Sequence, residues 1–160
     1  MKKLIFALLV LSQSISAFAS ELSNCTANKG AYISGTVISA PTYASSSTVI
    51  EGVRLTHTHV NLRADQDGKT YDVSMANVYA VDYVRNATVS PKTLAAIKVG
   101  NRLSVCGKKY TSGTGIHWVH SNCGVTPTLA KPNGSTKIFT SSTTVGLNLE
   151  RSQSYCYLFN

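Results

Sequence analysis

The stretch Lys98–Cys123, K-V-G-N-R-L-S-V-C-G-K-K-Y-T-S-G-T-G-I-H-W-V-H-S-N-C, constrains this chain more than any other. It reads as one β-hairpin, with strands at Arg102–Cys106 and Ile116–His120. The loop Lys108–Gly115 between them carries two lysines, a tyrosine and two glycines. The hairpin also holds the only Trp, two of the four His and two of the four Cys.

The amino terminus has the pattern of an export signal. Lys2 and Lys3 precede the apolar run Leu4–Leu11, and the small-residue pattern Ala17-Phe18-Ala19 follows. The apolar run is shorter than the roughly 20 residues that span a bilayer. A cleaved leader at 1–19 and no transmembrane segment are therefore expected, and the protein is placed as secreted or periplasmic. Residues 20–160 then form a single domain, large enough for its own core.

All four cysteines, Cys25, Cys106, Cys123 and Cys156, lie beyond the leader. An even count in an exported chain argues for two disulfides, with three possible pairings. The favoured pairing is Cys106–Cys123 across the hairpin and Cys25–Cys156 between the chain ends. Zinc is the competing use of these thiols, but no two cysteines have C-x-x-C spacing.

Charge points to a class of partner. The chain carries 15 Lys and Arg against 7 Asp and Glu, a formal net charge of +8, which falls to +6 once Lys2 and Lys3 leave. Such a balance favours anionic partners, although ordinary solubility explains it equally well, and the charges form no long run.

Taken in order, Ser20–Gly30 reads as polar and extended until Cys25 fixes it. Ala31–Ser39 is a strand in which Gly35 marks a bend. Pro41–Thr48 is a loop. Gly52–Ala64 is a strand whose apolar parity changes midway, which predicts a bulge near His57–His59. Asp65-Gln66-Asp67-Gly68 turns the chain into a partner strand at Lys69–Met75. Asn77–Val84 fits strand or irregular chain equally. Ser90-Pro91 opens a short helix with Leu94 and Ile97 on one face. A strand at Ser135–Thr140 follows the hairpin, and the aromatic end Tyr155–Phe159 packs on the body through Cys156. The order is that of a mainly β, small five-stranded OB-like barrel with one short helix, stapled by disulfides and extended at its carboxyl end. A β-sandwich is the alternative.

The residues K-V-G-x-x-L-x-V-x-G from Lys98, I-H-W-V-H at Ile116–His120 and P-N-G at Pro132–Gly134 resemble a family of small exported bacterial proteins of unknown function. That family is OB-like and carries a similar KVGD…G…IHWTH…GGW signature. Here Gly134-Ser135 replaces its Gly-Trp, and Cys106, Cys123 and the long tail depart from it. The resemblance implies an exported OB-like fold and no particular chemistry. The combination of signal, disulfides and a basic β-domain is also similar to small bacterial effectors exported after folding in the periplasm.

A monomeric binding module for an anionic ligand is the expected function, with phosphorylated lipid headgroups and nucleic acid as the ligand classes. The expected contact residues are Lys108, Lys109 and Tyr110 of the hairpin loop, extended by Arg54, Arg63, Lys69 and Tyr43. Trp118 is expected in the core. The alternative is a metal site from His57, His59, His117 and His120, since neutral imidazole is a good ligand. His117 and His120 would face opposite sides of a regular strand. Among the acids, Asp65 and Asp67 are assigned to the turn, and Asp72 and Asp82 converge only by chance. No H-E-x-x-H or G-x-S-x-G is present. Neither an enzyme nor a cofactor is expected. A structural, partner-binding role through Tyr155–Phe159 is the remaining class.

Overall fold

Two long strands, β5 (His57–Ala64) and β6 (Thr70–Ala76), form because residues of alternating burial flank a four-residue turn at Asp65–Gly68. Thr58, Val60, Leu62 and Ala64 are buried on β5 and Tyr71, Val73 and Met75 on β6, while the residues between them face outward. Their antiparallel register runs from His57 opposite Ala76 to Arg63 opposite Thr70. The computed structural model describes residues 18–159, so the leader expected at Met1–Ala19 lies almost wholly outside it.

Five strands close a barrel in the order β1-β5-β6-β8-β7 and back to β1. The others are β1 (Ala31–Val37), β7 (Arg102–Lys109) and β8 (Gly115–His117). All neighbours are antiparallel except β6 and β8, which pair in parallel through Asp72–Gly115 and Val73–Ile116. This is the expected OB-like barrel. A closed sheet leaves no unpaired edge among these five strands. The bend expected at Gly35 is where β1 passes from β7 to β5: Gly35 is opposite both Leu103 and Ala64. A Cβ there would run into the backbone carbonyl of Arg63.

The remaining pieces decorate this barrel. β2 (Thr42–Ala44) adds to β5, and β9 (Ser135–Ile138) adds to β7. A small ribbon pairs β3 (Val49–Ile50) with β4 (Val53–Arg54). The loop expected at Pro41–Thr48 therefore contains a short strand. The expected single strand Gly52–Ala64 is instead two, β4 and β5. The parity change falls at Leu55–Thr56, not at His57–His59, because Thr56 turns inward and joins a buried polar knot. There its hydroxyl accepts from Asn77 Nδ2 at 2.9 Å, and Thr58 hydrogen-bonds Asn77 Oδ1 at 2.6 Å.

Residues 18–27 are helical (α1), not extended as expected. Lys29 takes φ 62° after the helix, with Lys29 N–H donating to Thr26 O and Gly30 N–H to Cys25 O. That left-handed closure satisfies the last carbonyls of α1. Asn77–Tyr79 forms a single 3-10 turn. The short helix α2 (Lys92–Ala95) fills one end of the barrel with Leu94 and Ile97, both essentially inaccessible. Ser90 does not cap it; Asp82 accepts from the Thr93 N–H at 2.9 Å.

The disulfides are Cys25–Cys106 and Cys123–Cys156, which corrects the favoured pairing. The physical reason lies in the hairpin. β7 and β8 pair only through Lys108–His117 and Lys109–Ile116. Trp118 then adopts φ 55° and ends the ladder. Beyond that point β9 takes the β7 edge, with Ser135 opposite Cys106. Cys123 is carried instead to Tyr79, where it meets the carboxyl-terminal turn Cys156–Phe159. Cys106 is free to tie β7 to α1.

Candidate functional site

The outer face of β5, β6 and β8 carries a cavity of about 390 Å³. Its walls include His57 from β5, Ser74 and Ala76 from β6, and His117 from β8. Val78 and Tyr79 close it from the 3-10 turn, Trp118 and His120 from the chain after β8, and Phe159 from the end of the chain. Tyr110 overhangs it. The Tyr110 ring lies where a Cβ on residue 115 would sit, so Gly115 is required for this approach.

The turn at Trp118 makes this wall. A regular strand would send His117 and His120 to opposite faces; the positive φ between them brings both to the cavity. Trp118 is therefore half-buried at the cavity rather than in the core. Its indole N–H is buried with no hydrogen-bond partner among the described residues. His120 stacks on Tyr79 with centroids 3.7 Å apart and planes 7° apart. Tyr79 stacks in turn near Phe159 at 5.7 Å.

The cavity imidazoles are held neutral. Burial lowers His120 to about 4, with His57 and His117 adding to the effect and the bond to the Ser121 carbonyl opposing it. Burial lowers His57, reinforced by His59 and His117, and it lowers His117, reinforced by Lys108. Tyr110 keeps its proton, pushed up to about 12 by burial and by Asp72.

A chain of polar side chains runs beside the cavity. His59 Nδ1 lies 2.9 and 3.0 Å from the two Asp72 oxygens, and its Nε2 lies 3.4 Å from Ser74 Oγ. The Tyr110 hydroxyl donates to Asp72 Oδ2 at 2.9 Å. The strand register accounts for the grouping: His59 is directly opposite Ser74, and Asn61 is opposite Asp72, two residues along β6. Cross-strand neighbours on one face lie within side-chain reach.

The residues expected from the sequence divide here. Tyr110 is at the site. Lys108 is opposite His117 and shares its face, whereas Lys109 is opposite Ile116 and reaches over the Tyr71 ring, 5.5 Å from its centroid. Neighbouring strand residues face opposite ways, so the two lysines do not form one patch. Lys69 stands with Lys109 near Asp67. Arg63 is four residues along β5 from His59, about 13 Å by strand rise. Arg54 donates to the Ser46 carbonyl, and Tyr43 is within 3.4 Å of the Ala87 carbonyl, so neither reaches the cavity. The four histidines do gather around it. Yet His59 is committed to Asp72, and among the described residues no three His, Cys, Asp or Glu are arranged to hold a metal ion. The aromatic end is folded in: Leu158 is buried and Phe159 lines the cavity.

Asp72, set aside above as an isolated acid, and Ser74, not singled out there, belong to this region, as do Tyr79 and Phe159, the latter given above to a partner-binding end. For the first two a signal exists. The turn at Asp65–Gly68 fixes the register, which places Asp72-x-Ser74 across from His59-x-Asn61. Tyr79 and Phe159 arrive through tertiary packing alone. Among the described residues no helix is long and apolar enough to cross a membrane. Compared with family models, curated proteins and solved structures, the chain matches none.

Proposed function

We propose that this protein is an exported binding module for an anionic amphiphile, a phosphorylated lipid, with the apolar part in the cavity and the headgroup at Lys108. The observation that carries the reading is the cavity itself. Its walls are Leu55, Val78 and Phe159, aromatic rings and neutral imidazoles, with one lysine on the same face as His117. Small-ligand sites are concave and mostly apolar, with a few placed polar groups, and about 390 Å³ falls within their range. A nucleic-acid strand needs several cations along its backbone. Arg54, Arg63, Lys69 and Lys109 do not gather around this cavity, which favours a single headgroup. Two disulfides and the leader pattern of Met1–Ala19 support an oxidising, exported compartment.

Trp118, the only Trp, reports on occupancy. Its emission should change on titration with short-chain anionic phospholipid below its micellar concentration, and the change should weaken with salt. Lys108→Ala should reduce affinity about tenfold, the worth of one charge-assisted contact, and Lys109→Ala should not. No response to the phospholipid removes the lipid reading. A response to single-stranded oligonucleotide alone replaces it with the nucleic-acid one.

A further inference from the structure

We propose that Ser74, His59 and Asp72 form a nucleophilic triad that hydrolyses carboxylic esters bound in the cavity. This goes beyond binding and rests on the cavity but not on the identity of the headgroup. The three side chains stand in the order such chemistry needs. The Asp72 carboxylate accepts from His59 Nδ1, which fixes the proton on that nitrogen and leaves Nε2 as the acceptor. Nε2 lies 3.4 Å from Ser74 Oγ, within the looser range of catalytic hydrogen bonds without substrate. Ser74 is also the member that lines the cavity. Asp72 is further held by the Tyr110 hydroxyl, so Asp72 and Tyr110 are positioning residues behind His59.

The reaction balances without a cofactor. The Ser74 hydroxyl gives its proton to His59 Nε2 as Oγ bonds to the ester carbonyl carbon, and the carbonyl π pair moves to oxygen. Collapse breaks the carbon–oxygen bond to the alcohol, which leaves with the proton from Nε2. Water then attacks the acyl-Ser74 ester, losing its proton to Nε2 in the same way, and the carboxylic acid and Ser74 are released. The apolar and aromatic walls suit an ester with an apolar or aryl acyl group.

The test uses the disulfide-intact protein, a fluorophosphonate probe and p-nitrophenyl butyrate. The expected result is a single covalent adduct mapped to Ser74 and turnover of the ester. Ser74→Ala and His59→Gln should lower turnover about 100-fold or more with the thermal midpoint retained. Asp72→Asn should lower kcat with KM little changed, which a merely structural role would not separate. Absence of an adduct at Ser74 in the wild-type protein overturns the proposal, as does turnover that survives in Ser74→Ala. Phospholipid binding is read separately by Trp118 emission in the wild-type protein, with a diether phospholipid that carries no carboxylic ester. Binding of that lipid while the protein forms no adduct leaves the module and removes the hydrolase. An adduct without phospholipid binding does the reverse.

Discussion

Two buried ionisable residues should dominate the pH response, and with opposite signs. His120 is 5 % exposed and its pKa is lowered by burial to about 4. The unfolded chain binds this proton near pH 6.5 and the folded chain does not, so stability is lost as pH falls from about 6.5 towards 4. The loss is roughly 3 kcal/mol at 1.4 kcal/mol per unit. Replacing His120 with Gln should flatten that limb in urea titrations at pH 4 to 7. Glu150 is wholly buried. Burial raises its pKa well above the ordinary carboxylate value, against hydrogen bonds from Thr136 and the Ala76 backbone. Its other oxygen has no partner among the described residues. Stability tied to this proton is complete below the ordinary carboxylate range and declines as pH rises above it. Glu150→Gln should therefore remove the decline in stability as pH rises, read from urea midpoints at pH 5 to 8, because the amide stays uncharged without a proton.

At the scale of elements, the barrel depends on places where a strand must bend or stop. β1 bends at Gly35 so that it can pair with β7 and then with β5. A methyl there meets the Arg63 carbonyl, and backbone cannot move aside as a flexible side chain can. Gly35→Ala should cost about 2 kcal/mol or more, read from the denaturation midpoint with an unchanged slope. β8 stops after three residues because Trp118 takes a left-handed conformation that a bulky residue adopts only when its surroundings impose it. That stop builds the cavity wall. Backbone strain beside a cavity is a common property of working sites.

For the whole molecule, the disulfides decide which distant parts are held together. Cys25–Cys106 spans 81 residues and fixes α1 against β7; Cys123–Cys156 spans 33 and fixes the end of the chain beside Tyr79. In the loop-entropy account each contributes roughly 4 kcal/mol. Replacing both Cys123 and Cys156 with Ser should lower the thermal midpoint. It should also loosen Phe159, so that Trp118 emission shifts and phospholipid affinity falls. The matching pair at Cys25 and Cys106 should lower the midpoint while leaving the cavity response intact, because α1 does not line it.

The sequence by itself determined the order of the five barrel strands, the bend at Gly35, the turn at Asp65–Gly68 and the presence of short α2, because these follow from local propensity and alternation. Those features suffice for an OB-like barrel. It also put Tyr110, His117 and His120 on one hairpin. The disulfide partners, the early break of the β4–β5 stretch, the helix at 18–27 and the split of Lys108 from Lys109 came from tertiary structure. Each depends on register or on competition for an edge: β9 displaces β8 from Cys106, and Asn77 draws Thr56 inward. The site was hidden for the same reason. His59, Asp72 and Ser74 are unremarkable in order along the chain, and only the closed barrel, with Trp118 turning the last strand and Phe159 returning from the end, sets them beside a cavity.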